Sequence, residues 1–130
     1  MRGKDPARDK RPVNLNLTTI HFPCHAIASL MHRISGFILF LFIPLLLWIL
    51  QTSLASYEQF LNLQDMLATP FFKLILWGLL SAFLYHLLAG IRHLIMDFGY
   101  GESLSAARLT AQLVLLMGVL LSVALGVWLW

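Results

Sequence analysis

The fold class this sequence predicts is an all-α membrane protein with three transmembrane helices. Two compositional observations point there. Of 130 residues, 59% are hydrophobic and only 12% are charged, and the mean hydropathy is +0.80, whereas a soluble domain carries about 25% charge. Three apolar runs stand out, each close to the roughly 20 residues that cross a bilayer as a helix. A third observation is chemical. Histidine, arginine and aspartate occur in and beside these runs, where hydrocarbon makes an ionisable group costly and marks it as a candidate functional residue.

The chain divides into a polar N-terminal segment over residues 1–25 and a membrane anchor domain over 26–130. The opening "MRGKDPARDKRPVNLNLTTI" has neither the early apolar core nor the small-residue cleavage site of a secretory signal. The first hydrophobic helix is therefore expected to act as the insertion signal. That helix is predicted over about 26–50; its densest part is "FILFLFIPLLLWIL", with Pro44 inside. An interior proline is tolerated in a membrane helix when neighbours satisfy the freed carbonyl. The stretch "QTSLASYEQFLNLQDMLATP" reads as a polar linker with breakers. The second span is predicted over about 70–96. "DFGYGESLS" forms the next linker, and the third span covers about 107–130, with "LVLLMGVLLSVALGVWLW" free of charge. Gly118, Ser122 and Gly126 recur every fourth residue there, a small-residue face suited to close helix packing.

Lysine and arginine set the orientation. Arg2, Lys4, Arg8, Lys10 and Arg11 lie in the N-terminal segment, with Arg33 just inside helix one. Arg92 and Arg108 flank the second linker, and the opposite side offers only Lys73. The N-terminus should face the cytoplasm, or the matrix in a mitochondrion, with Trp130 on the far side. The net charge of +3 carries no nucleic-acid signal, since no basic stripe with interleaved aromatics accompanies it. The lone Cys24 belongs to no CxxC or CxxCH run, so neither a zinc ribbon nor covalent haem attachment is indicated.

Within the second span, His86 lies 11 residues before Asp97, roughly 16 Å at 1.5 Å per residue, which is near mid-membrane. Ala82 and Gly90 flank it at i−4 and i+4 on the same face. Two readings stand at this level. The small residues leave room for something flat and wide, such as a haem with imidazole as axial ligand; or they admit a neighbouring helix to which His86 hydrogen-bonds. His93 is at i+7. Two histidines stacked along one straight helix cannot both ligate one haem iron, so a second ligand would come from another chain. His93 then reads as a propionate partner or an interfacial histidine, and Arg92 and Asp97 as functional groups or as side chains that snorkel to the headgroups.

The second constellation is "SLMHRISG" at the start of helix one. Ser29, His32 and Arg33 fall at i, i+3 and i+4, with Gly36 a turn further. A hydroxyl, an imidazole and a permanent cation at the membrane edge suit a quinone, whose tail wants lipid and whose carbonyl oxygens want donors that stabilise the reduced anion. The other reading is a positive-inside anchor with a capping serine. His21 and His25 are spaced i, i+4 but lack the glutamate of a zincin pattern, and read as surface residues.

Taken together, "RPVNLNLTTIHFPCHAIASLMHRISG" and "YHLLAGIRHLIMDFGYG" resemble the cytochrome b membrane-anchor family of succinate dehydrogenase (complex II, succinate:quinone oxidoreductase), most closely its proteobacterial members. The resemblance rests on Arg11-Pro12, on Ser-x-x-His-Arg-x-Ser over 29–35, and on His-x3-Gly-x-Arg-His-x3-Asp over 86–97. It implies that the three helices pack with a second membrane-anchor subunit into a bundle around haem b. His86 would be one axial ligand of the haem iron and the partner anchor would give the other. Ser29 and Arg33 would line the ubiquinone site beside the iron–sulfur subunit, His32 would sit by the haem propionates, and Asp97 would lie near the quinone-site mouth. Through the iron–sulfur subunit the chain would be joined to a flavoprotein subunit. The location implied is the bacterial inner membrane, or the mitochondrial inner membrane in a eukaryote. The residues agree on what is missing: no dinucleotide fingerprint, cysteine cluster or dicarboxylate site is present, so succinate oxidation would occur on other subunits. A haem-less structural anchor is the alternative. A transporter or sensor would need a polar face along helix three, which the sequence lacks.

Overall fold

The computed structural model describes residues 23–130, which form four helices and, among the described residues, no strand. α1 spans Cys24–Ala55, α2 Tyr57–Leu67, α3 Pro70–Asp97 and α4 Leu104–Leu129. α1, α3 and α4 are each long and apolar enough to cross a membrane. The basic residues of the N-terminal segment, and His21, lie outside the described residues.

α1 continues through Pro44 for 32 residues, longer than the apolar run alone indicates. The stretch read as a polar linker is itself helical. Ser56 at the N-cap accepts a hydrogen bond from the Gln59 backbone N–H at 3.1 Å. Ser-x-x-Gln is the capping-box pattern, and it starts an 11-residue helix whose Leu63 is buried. Pro70 occupies the first turn of α3, where its missing N–H costs nothing. α3 closes with Gly99 in the left-handed region at φ 83°. The Gly99 N–H reaches Met96 O at 2.8 Å and the Tyr100 N–H reaches Ile95 O at 3.2 Å, the paired bonds of a Schellman stop. Ser103 caps α4 by accepting from the Ala106 N–H at 3.3 Å.

α3 is the central element and packs on both α1 and α4, which also touch each other. The buried apolar residues are mostly small: Ala28 of α1, Ala89 of α3, and Ala107 and Ala111 of α4, beside Leu63 and Leu79. Small residues let helix backbones approach closely where lipid removes the hydrophobic drive for association. Large apolar side chains such as Phe37, Phe40 and Leu116 are exposed, as suits helices whose outer faces meet lipid or another membrane helix. The spacing-four face of α4 packs as the sequence suggests. A Cβ on Gly118 would lie 2.7 Å from a Tyr85 ring carbon, Tyr85 Oη donates to Ala28 O at 2.9 Å, and Trp77 Nε1 donates to Ser122 O at 2.8 Å.

Arg92 departs from the surface role open to it. It is 8% exposed, and its Nε donates to Thr110 Oγ1 and its Nη2 to Ala107 O, both at 3.0 Å. The guanidinium pins α3 to α4 instead of snorkelling. His25 is not a surface residue either: it is half-buried, and its Nδ1 is sealed without a partner among the described residues.

Candidate functional site

The site forms where α1 and α3 pass closest, and Gly36 makes that approach possible. A Cβ there would lie 2.9 Å from His86 Cε1, closer than real side chains come. His86 therefore lies against the α1 backbone, and its Nδ1 is 3.1 Å from His32 O and 3.1 Å from Ser35 Oγ. A carbonyl oxygen only accepts, so the network assigns the proton to Nδ1. Ser35 Oγ–H donates to the same His32 carbonyl at 2.8 Å, which leaves an oxygen lone pair toward the imidazole N–H. Nε2 is the lone-pair nitrogen. It has no hydrogen-bond partner among the described residues. A histidine that gives one N–H to a backbone carbonyl and keeps the other nitrogen free has the form of a metal-ligating imidazole.

The structure also brings in His32 and His93. The His32 ring stacks on His86 with centroids 4.1 Å apart and planes 13° apart, and its centroid lies 5.1 Å from that of His93. One imidazole from α1 thus fills the space between two from α3. Stacked rings do not converge their lone pairs, and among the described residues no set of three or more His, Cys, Asp or Glu gathers into a metal site. Gly90 lies against this stack: a Cβ there would meet His32 Nε2 at 3.5 Å. The space beside Gly90 is used by His32 and is not left open for a flat ligand, while Ala82 lines a groove with Ser35 and Tyr85.

The three residues of the α1 constellation separate. His32 turns toward α3, Ser29 is half-buried, and Arg33 is exposed. Asp97, the last residue of α3, is exposed as well. Ser29 and Arg33 remain one helical turn apart on α1. Sequence reasoning did not assign roles to Ser35 and Gly36. Ser35 was visible only as the last letter of Ser-x-x-His-Arg-x-Ser, and its meaning depends on which α3 residue packs opposite.

The description "Succinate dehydrogenase/Fumarate reductase transmembrane subunit" belongs to the family model that matches residues 7–125 of this chain. The succinate dehydrogenase cytochrome b556 subunit of Coxiella burnetii is 49% identical over 122 residues, covering 93% of this chain and 98% of the relative. The cytochrome b556 subunit of Paracoccus denitrificans is 35% identical over 119 residues, with 92% of each chain covered. That of Rickettsia felis is 33% identical over 128 residues, with 97% and 98% covered. The chain belongs to the succinate dehydrogenase/fumarate reductase transmembrane subunit family, and it is a multi-pass membrane protein.

Proposed function

We propose that this member of the family is the cytochrome b anchor of a succinate:quinone oxidoreductase, holding haem b jointly with a second anchor subunit and forming part of a ubiquinone-reducing site. The observation that carries the haem reading is His86: its Nδ1 is tied to the α1 backbone and its Nε2 is free. On that donor set His86 would hold the haem iron from this chain, and a second protein ligand would come from a different chain. His32 and His93 lie beside it, where they can meet the propionates. A bound haem supplies one-electron redox capacity inside the membrane.

At the quinone, the chain's own groups do two things. Arg33 carries a permanent positive charge that stabilises the oxygen made anionic by incoming electrons. Ser29, one turn away, donates a hydrogen bond to a carbonyl oxygen and can pass a proton to it. Asp97, at the solvent-facing end of α3, is placed by this reading near the mouth. Two electrons from the iron–sulfur subunit and two protons convert quinone to quinol. Succinate is oxidised on the flavoprotein subunit. The anchor domain over 26–130 sits in a bacterial inner membrane, with the segment over 1–25 in the cytoplasm.

The test of the haem assignment is His86→Leu in the purified complex. The b-type absorption should be lost or altered. An unchanged reduced-minus-oxidised spectrum would remove His86 as ligand, and a wild-type complex with no b-type absorption would favour the haem-less anchor.

A further inference from the structure

Ser35 is a polar side chain in the membrane interior and is only 5% exposed. Neither the haem reading nor the quinone reading above uses it. Its hydroxyl does not merely back-bond to its own helix. Oγ is 2.8 Å from His32 O, to which it donates, and 3.1 Å from His86 Nδ1, from which it accepts. The same carbonyl is 3.1 Å from that Nδ1. His86 thus shares one N–H between two oxygens, and the Ser35 hydroxyl donates a hydrogen bond to the other of the two, the His32 carbonyl.

We infer that Ser35 is a positioning residue for His86: it fixes the ring and its tautomer, and it sets how strongly Nε2 donates to a metal. This rests on the reading of His86 as a haem ligand.

The effect is electrostatic. A proton on Nδ1 shared with an oxygen lone pair is pulled off the ring, which adds electron density at Nε2. A more basic imidazole favours the more highly charged, oxidised iron. Hydrogen bonds to the far nitrogen of a ligating histidine orient it and raise its basicity, and their loss typically costs 10- to 100-fold in metal affinity or activity. Burial strengthens the effect, because an interior hydrogen bond is less screened than one in water. Ser35 supplies one of the two acceptors, and the His32 carbonyl remains when it is removed. The effect of removal is therefore a partial weakening, not a collapse.

Geometry also distinguishes this role from packing. Gly36, the next residue, makes the close approach to His86 that packing needs, whereas Ser35 presents an oxygen. Alanine removes only that oxygen. Threonine keeps it, since a helical threonine readily bonds its Oγ1 to the carbonyl three or four residues back, the bond Ser35 makes to His32 O.

The experiment is a potentiometric titration of the b-type absorption in the whole purified complex, for wild type, Ser35→Ala and Ser35→Thr. Ser35→Ala should retain the haem and shift the ratio of ferric to ferrous affinity by about threefold toward ferrous. At 59 mV per tenfold for a one-electron couple, the midpoint rises by about 30 mV. Ser35→Thr should restore the wild-type value. A midpoint in Ser35→Ala equal to wild type, or a threonine variant displaced as far as the alanine one, overturns the inference. If His86→Leu keeps the wild-type spectrum, the haem reading itself fails, so the two failures are distinguishable.

Discussion

Single residues decide the site, and the sharpest constraint is steric. With Gly36 Cα so near the imidazole, an alanine methyl would lie 2.9 Å from His86 Cε1. Either α1 and α3 part or the ring rotates, and rotation breaks both contacts of Nδ1. Gly36→Ala is expected to lower haem retention in the purified complex, measured as b-type absorption per complex. Arg33 and Ser29 are tested by chemistry. Arg33 is exposed and makes no hydrogen bond to another helix among the described residues, so Arg33→Leu should leave the complex assembled. Loss of a contact to developing charge costs a few kcal/mol in the transition state, about a hundredfold in rate. Quinone reduction should fall by that order in Arg33→Leu and less in Ser29→Ala, while succinate oxidation with a soluble dye continues. Wild-type quinone reduction in an assembled Arg33→Leu complex would place the quinone elsewhere. His86, His32 and Arg33 could be picked out by reading the chain, because an ionisable group in an apolar run is conspicuous. Ser35 could not: serine is common in membrane helices, and only the pairing of α1 with α3 gives it a partner. Arg92 escaped for a related reason, since an arginine five residues from a helix end ordinarily snorkels, and only the position of Thr110 and Ala107 turns it inward.

At the scale of elements, the long helices were legible and the short one was not. Runs of uncharged apolar residues leave few alternatives to a spanning helix. α2 mixes Glu58, Gln59, Asn62, Gln64 and Asp65 with its apolar residues over only 11 positions, so composition alone presents it as linker. Its start signal was nonetheless present in Ser56 and Gln59. Because α2 is short, it depends on its cap and on its packing against α1. Replacing an N-cap serine by alanine costs about 1 kcal/mol. Ser56→Ala should therefore speed amide exchange across α2 about fivefold, with the protection of α1, α3 and α4 unchanged. Equal exchange in the two proteins would mean that packing on α1 holds α2 without the cap. At the other end of α3, the Schellman stop at Gly99 fixes where the chain leaves the helix after Asp97, and so fixes the height of Asp97 relative to the histidines.

For the whole molecule, helix length and the distribution of charge bear on how the chain crosses the membrane. α1, α3 and α4 contain 32, 28 and 26 residues, roughly 48, 42 and 39 Å at 1.5 Å per residue. All exceed a hydrocarbon core of about 30 Å, so each can cross with some tilt or with a turn to spare in the headgroups. Three crossings put the ends of the chain on opposite sides. Arg33 and Arg108 are exposed and lie at the end of the bundle that holds the start of α1, the end of α3 and the start of α4. Arg2, Lys4, Arg8, Lys10 and Arg11 precede α1 in the sequence. Lys73 is the single lysine or arginine at the other end, where Trp48, Trp128 and Trp130 are exposed as an interfacial aromatic belt would be. The excess of positive charge predicts a cytoplasmic N-terminal side, which under the proposed function is the side from which a soluble electron donor would reach Ser29 and Arg33. Fusions of an enzyme active only in the cytoplasm and one active only outside it, placed in turn at each terminus, check this. The cytoplasmic reporter should work at the N-terminus and the external one at the C-terminus. The same reporter active at both ends would rule out three crossings, and the reversed pattern would put Arg33 on the wrong side for reduction from the cytoplasm.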